Sequence, residues 1–306
     1  MEPHLAFALP ESVPVSSTFR PQFLVLTGAV LWGTVSVTAK YLYDLGQITP
    51  LSLGFLRLVV AAPLLALLSL RLDRGQPWRW RRQDLIWWLL AMVSMGAYQL
   101  FIFAAVQRTT VTTAVALAIC TSPVLVAVAA PILLGERFRR RTLRAGALAI
   151  TGTALVLGIG SSGDLFNLNY LLGNLLALGA AASWATYVIV ASHLVRDHSV
   201  TRITFLTFAG ATLLVLPLVL LQGQPVVLPP AGWALVLYIG AVPTALSYYL
   251  YVRGLHGTTA TTAAFLTLAE PATAALLAAL LFGERLTVLG WLGVLLLVIG
   301  LIDLNR

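Results

Sequence analysis

Charge is scarce in this sequence. Asp, Glu, Lys and Arg together make up 10% of the 306 residues, where soluble domains carry about 25%, and that shortage excludes a water-facing surface of ordinary composition. Cysteine is nearly absent: Cys120 stands alone inside an apolar run, which excludes an internal disulfide and a cysteine metal cluster. Histidine is confined to the tail and to the ends of apolar runs, at His4, His193, His198 and His256. No metal site or nucleophile constellation can then form within apolar sequence, so the chain is not read as an enzyme. No Gly-x-x-x-x-Gly-Lys-Ser/Thr loop occurs, so the chain cannot by itself grip nucleotide phosphates, and no cofactor is expected. The stretch from Met1 to Ser17 has no apolar core and reads as neither a signal peptide nor a lipidation site.

What the chain has in abundance is apolar length. Hydrophobic residues make up 59% of it, the mean hydropathy is +0.92, and runs of about 18 to 23 residues, enough for a helix to cross ~30 Å of hydrocarbon, recur from end to end. Gly and Pro inside the runs, with no two-residue alternation, favour packed helices over barrel strands. The expected architecture is an all-α polytopic membrane protein of about ten transmembrane helices, at 21–43, 50–70, 84–105, 112–134, 142–160, 170–194, 202–222, 230–252, 260–282 and 287–304, after a tail at 1–20.

The net charge of +8 comes mostly from arginines in a few loops, which argues for an orientation signal and against a nucleic-acid partner. With spans alternating, one side collects Arg20, the Arg71 to Arg82 and Arg137 to Arg144 clusters, Arg196, Arg202, Arg253 and Arg306, and the other only Lys40, Arg57, Arg108 and Arg285. By the positive-inside rule both termini are expected in the cytoplasm, in a multi-pass protein of the plasma (inner) membrane.

The sequence repeats itself. Thr121-Ser122-Pro123-Val124 through Gly135-Glu136-Arg137 parallels Ala269-Glu270-Pro271-Ala272 through Gly283-Glu284-Arg285, and Leu31-Trp32-Gly33-Thr34 parallels Ser183-Trp184-Ala185-Thr186. Each half, 21–160 and 170–304, then holds five spans, and an odd number inserts the second half upside down, the plan of many secondary transporters. Charge agrees: Arg139, Arg140 and Arg141 follow the first Gly-Glu-Arg, whereas uncharged Leu286-Thr287-Val288 follows the second.

These residues resemble a known family, the drug/metabolite transporter superfamily in its branch of bacterial ten-span proteins with two EamA-type repeats. The resemblance rests on Leu31-Trp32-Gly33, on Trp184, and on the fourth and ninth spans with their mid-span proline and terminal Gly-Glu-Arg. It implies a helical basket that moves small metabolites by alternating access, with spans 1, 3, 4, 6, 8 and 9 around a central cavity and spans 5 and 10 at the periphery. The expected activity is therefore secondary transport of a small organic metabolite such as an amino acid, an amine or a quaternary ammonium compound. A channel or a non-transporting scaffold is the alternative.

The residues themselves suggest where such a substrate would sit. Trp32, Tyr98, Trp184, Tyr187, Tyr248 and Tyr251 lie in mid-span, where an indole N–H or phenol O–H must find a partner, which favours a polar cavity. Glu270 falls near the middle of the ninth span. A carboxylate there costs roughly 2.5 to 3.5 kcal/mol on insertion scales and should be protonated or meet a cation. Lys40 and Arg57 lie in outer parts of their spans, where they read either as interfacial charges with Asp44 as a partner or as groups that gate the route or hold a substrate carboxylate. No Lys or Arg is expected at the depth of Glu270, so a proton or a cationic substrate is the expected partner and Glu270 the coupling group. Pro123 and Pro271 are expected hinges, because each removes a mid-span backbone donor. Thr109, Thr110, Thr112 and Thr113, like Thr258, Thr259, Thr261 and Thr262, read as helix-capping residues or as substrate contacts. Trp78, Trp80, Trp87 and Trp88 beside the arginine cluster, with Trp233 and Trp291, read as interfacial anchors. The small residues Gly146, Gly152, Gly158, Gly290, Gly293 and Gly300 suit close helix packing within a monomer or across a homodimer. Expected partners are thus a small-molecule substrate, protons as a coupling candidate, and membrane lipid.

Overall fold

The computed structural model describes residues 20–75, 81–137, 139–158, 168–283 and 285–304. The tail up to residue 19, Trp78, Trp80, Glu284 and Arg306 lie outside the described residues. The chain is an all-α polytopic membrane protein: among the described residues eight helical runs are long and apolar enough to cross a membrane, and Val288–Leu304 is a shorter apolar helix. In chain order the helices are α1 (Pro21–Leu45), α2 (Pro50–Leu72), α3 (Leu85–Val106), α4 (Val111–Leu134), α5 (Arg140–Val156), α6 (Leu171–Leu194), α7 (Val200–Gln222), α8 (Pro230–Gly240), α9 (Ser247–Leu255), α10 (Ala260–Leu266), α11 (Ala269–Phe282) and α12 (Val288–Leu304). The eighth expected span is α8 joined to α9 through a π-helical segment, Ala241–Leu246, and the ninth is α10 followed by α11.

Short polar caps start and stop these apolar helices. Thr49, Thr110, Ser199 and Thr259 each accept a hydrogen bond from the backbone N–H three residues on, at 3.1 to 3.3 Å, satisfying a donor that the first turn leaves free. The threonines at 110 and 259 are therefore caps. Gly135 and Gly283 end α4 and α11 in the left-handed conformation, at φ 69° and 68°, which costs glycine nothing. The repeat is thus visible as the same cap, proline and terminal glycine in both halves.

Packing follows the repeat as well. α1 of the first half lies against α9 and α11 of the second, α6 of the second lies against α3 and α4 of the first, and α2 pairs with α7, α5 with α12. Exchanging the halves reproduces this pattern. The α5 and α12 pair is antiparallel and touches backbone to backbone: a Cβ at Gly152 would lie 2.6 Å from the Gly293 carbonyl oxygen, the reverse holds at 2.6 Å, and a Cβ at Gly300 would lie 2.7 Å from the Ala145 carbonyl oxygen. Gly152, Gly293 and Gly300 therefore serve a helix contact within one chain. At the same end, Asp303 accepts from Arg141 Nε at 2.8 Å and from Arg144 Nη2 at 2.9 Å.

Prolines act differently in the two copies. α4 runs unbroken through Pro123. In the second copy the cap-to-proline interval, Thr259 to Pro271, is one residue shorter than Thr110 to Pro123, and the helix is interrupted at Thr267 and Leu268. Pro271 has no N–H for the Thr267 carbonyl. The Glu270 N–H takes that carbonyl instead, at 3.0 Å, and the Leu268 N–H bonds the Phe265 carbonyl at 3.2 Å. In the π segment the Ile239 carbonyl, denied an amide by Pro243, accepts from the Thr244 hydroxyl at 2.8 Å. Irregular backbone at membrane depth is tolerated where protein buries it or a cavity receives it.

Candidate functional site

Glu270 sits in the first turn of α11, just past the interrupted backbone, beside a cavity of about 180 Å³. Trp32, Val35 and Ser36 of α1, Arg57 of α2, Tyr98 and Phe103 of α3, Ser122 of α4, Trp184 of α6, Tyr248 of α9, and Thr267 contribute to its wall. The Leu31-Trp32-Gly33 run has a plain physical purpose here. Trp32 faces the cavity, and Gly33 lets α11 approach so closely that a Cβ would lie 2.8 Å from the Glu270 carbonyl oxygen and 2.6 Å from Thr273 Cβ. Ser122, the repeat counterpart of Glu270, lines the same cavity, as do both tryptophans of the repeat, Trp32 and Trp184.

The aromatic wall is one connected cluster. Trp32 lies 5.4 Å from Trp184 at 85°, 4.8 Å from Tyr248 and 5.2 Å from Tyr251, and Tyr98 lies 5.5 Å from Trp184. Such tilted and edge-to-face pairs hold the rings in fixed orientations. Of the expected site residues, Trp32, Tyr98, Trp184, Tyr248 and Glu270 meet at the cavity. Tyr187 and Tyr251 do not: both are 0% exposed, and their rings close the space behind Trp184, at 5.5 and 6.0 Å. Pro123 is buried in α4, and Pro271 lies one residue beyond Glu270.

Arg57 changes the chemistry of the site. Its place near the start of α2 left it between a surface charge and a group for gating or for holding a substrate carboxylate, and no cation was expected beside Glu270. Arg57 instead lines the cavity with Glu270, and its Nε is buried with no hydrogen-bond partner. The Trp32 indole nitrogen and Gln99 Nε2, also from cavity-lining residues, are buried and unpartnered too. An unmade bond at a buried donor costs about 1 to 3 kcal/mol, so three such donors at one cavity wall define a place for acceptor oxygens. Among the described residues no ion pair ties Arg57 to Glu270. The cavity therefore presents a guanidinium, two neutral N–H groups, one carboxylate and several aromatic faces. Trp88 also departs from expectation: it is 2% exposed and packs on the His198 ring at 5.0 Å, buried in protein and not facing lipid. Trp87 stacks on His193 at 4.1 Å, whereas Trp233 and Trp291 are exposed.

Two five-helix repeats whose interrupted helices meet at a central cavity suit a membrane transporter. The chain belongs to the EamA-like transporter family, which residues 20–158 and 171–306 each match. It is 32% identical to the uncharacterized transporter YwfM of Bacillus subtilis, over 92% of each chain. It is 26% identical to the uncharacterized inner membrane transporter YicL of Salmonella typhimurium, over 94% of this chain and 96% of that one. It is 24% identical to the aromatic amino acid exporter YddG of Ancylobacter novellus, over 75% of this chain and 77% of that one. A solved crystal structure has the same fold at a TM-score of 0.80 with 22% identity, covering 93% of this chain and 98% of the other.

Proposed function

We propose that this protein is a secondary active transporter of a small zwitterionic amino acid, working by alternating access in the inner membrane with both termini in the cytoplasm. The observation that carries the reading is the pairing of unmet Arg57 with Glu270 in one aromatic-walled cavity. A carboxylate suits the guanidinium and the neighbouring indole and amide N–H groups, and an ammonium suits Glu270 and the faces of Trp32, Tyr98 and Tyr248. An amine or a quaternary ammonium compound would leave Arg57 uncompensated, and this favours the amino acid over them. The cavity of about 180 Å³ is below the range of drug-sized sites, ~300 to 1,000 Å³, which suits a small metabolite. The activity for which the Ancylobacter relative is named, aromatic amino acid export, supports the same class.

Glu270 is the coupling group in this reading. A carboxylate inside a span that no ion pair ties to Arg57 is costly, so in this reading it exchanges a substrate ammonium for a proton as the site changes sides. Counterflow of labelled amino acids in proteoliposomes tests the proposal. Saturable exchange, inhibited far better by the amino acid than by its decarboxylated amine or its deaminated acid, is the expected result. Single-channel current, or no flux with any member of the panel, would count against it in favour of a channel or a scaffold.

A further inference from the structure

Glu136, the acid of the first Gly-Glu-Arg motif, is bound far from its own helix. Its carboxylate accepts from the backbone N–H of Ala260, from the Thr261 N–H at 3.2 Å and from the Thr261 hydroxyl at 2.7 Å. It therefore closes the open first turn of α10 from the other half of the protein. A second cavity, of about 610 Å³, borders this contact at the arginine-rich end, with Ser192, Val195, Leu255 and His256 in its wall beside Glu136. Ser192 Oγ is buried there without a hydrogen-bond partner.

The two cavities share two helices. Trp184 and Ser192 lie on α6 and border the central and the outer cavity respectively, and Tyr248 and Leu255 do the same on α9. At 1.5 Å per residue these pairs are separated by about 10 to 12 Å. Tyr187, Val188, Tyr251 and Val252, all 0% exposed, fill that interval. Span nine connects the same places, because Thr261 at one end of α10 holds Glu136 and Thr267 at the other end lines the central cavity.

We infer that the cavity beside Ser192 and Leu255 is the second mouth of the transport route, and that the Glu136 contact with α10 is the latch that keeps it separate from the central cavity. The inference rests on the transporter reading of the central cavity. Releasing Glu136 frees the start of α10, whose other end is the interrupted backbone at Thr267, so α10 can tilt without bending α11. α10 packs against α6 and α9, the helices that carry Tyr187 and Tyr251, so its tilt loosens the packed interval between the two cavities. Glu136 does not touch substrate in this scheme and acts by position.

Thiol accessibility tests the latch without requiring the substrate to be known. In a Cys120→Ala background, Ser192→Cys reports on the second mouth and Ser36→Cys on the central cavity, each read as the rate of modification by a charged thiol reagent on protein in nanodiscs. Glu136→Ala removes all three charge-assisted bonds, a loss that shifts a two-state population on the order of tenfold or more. Modification of Ser192→Cys should then accelerate on the order of tenfold while that of Ser36→Cys slows. Thr261→Val, which deletes only the hydroxyl partner, should move both rates the same way by less, and it carries the test should Glu136→Ala fail to fold. Unchanged rates in a folded variant, or acceleration at both sites, would overturn the latch and leave Glu136 as a helix cap. A reciprocal change in rates with no amino acid counterflow would keep the latch and sink the substrate assignment. Counterflow with unchanged rates would do the opposite.

Discussion

Gly33 of α1 and Glu270 of α11 are in backbone contact, so close that a methyl group on Gly33 would come within 2.8 Å of the Glu270 carbonyl oxygen. Position 33 therefore sets the placement of the cavity's carboxylate. Gly33→Ala should force α1 and α11 apart, at a cost of about 1 to 3 kcal/mol for overpacking, with a lower melting temperature and loss of transport. Gly290→Ala is the control, because its added Cβ would meet only ordinary contacts at 3.5 Å and should change neither. Equal effects from the two would show that the contact at Gly33 has no special weight.

Arg57 and Glu270 should separate by ligand. Arg57→Gln is expected to weaken binding of an amino acid by about 10- to 100-fold, the value of one charged hydrogen bond, while leaving the matching amine unaffected. Glu270→Gln should weaken both the amino acid and the amine and should abolish proton-dependent transport. Isothermal titration with an amino acid and its decarboxylated amine reads this out, and a parallel loss of both ligands in Arg57→Gln would remove the carboxylate from its assigned place.

The two mid-span prolines should no longer be interchangeable. Because the backbone is interrupted ahead of Pro271 and continuous through Pro123, Pro271→Ala restores a donor for the Thr267 carbonyl and stiffens span nine. Its transport rate should fall more than its binding affinity does. Pro123→Ala should leave that ratio near the parent value. Rates from counterflow and dissociation constants from titration, taken on the same preparations, decide between them.

Orientation follows from the arginine asymmetry. A reporter fused after Arg306 should be cytoplasmic, and a cysteine at Gln224, exposed in the loop after α7, should react with an impermeant reagent outside intact cells. Reaction only after permeabilisation would invert the protein.

Apolar run length and the repeated motifs carried most of the architecture, because a helix crossing hydrocarbon has little freedom in length or composition. Interruptions inside spans were less legible. Proline marks where a bond must be lost, but whether the loss is absorbed, as at Pro123, becomes a π segment, as at Pro243, or breaks the helix, as ahead of Pro271, depends on neighbours that sequence spacing does not reveal. The aromatic half of the site was readable from depth alone, except that Tyr187 and Tyr251 face the packed core. Arg57 stayed between a surface charge and a carboxylate-holding group for a related reason: position along a helix gives depth, and only packing decides whether a side chain seven residues into a span turns to the surface or to the cavity. A lone arginine inside an apolar run was the available signal.

The contacts between the halves also bear on how the chain is made. Asp73 accepts from the Ser199 hydroxyl at 2.9 Å, Asp84 meets His198 at 3.1 Å, Glu136 finishes α10, and Arg141 and Arg144 hold Asp303. Each of these charges in the first half is synthesised before its partner in the second. Until its own partner emerges, each of these carboxylates and guanidiniums lacks the contact from the second half that completes it. The halves are interleaved and cannot be completed one after the other, so truncating the chain before Asp303 should leave Arg141 and Arg144 of α5 without their partner as well as removing the end of the last helix.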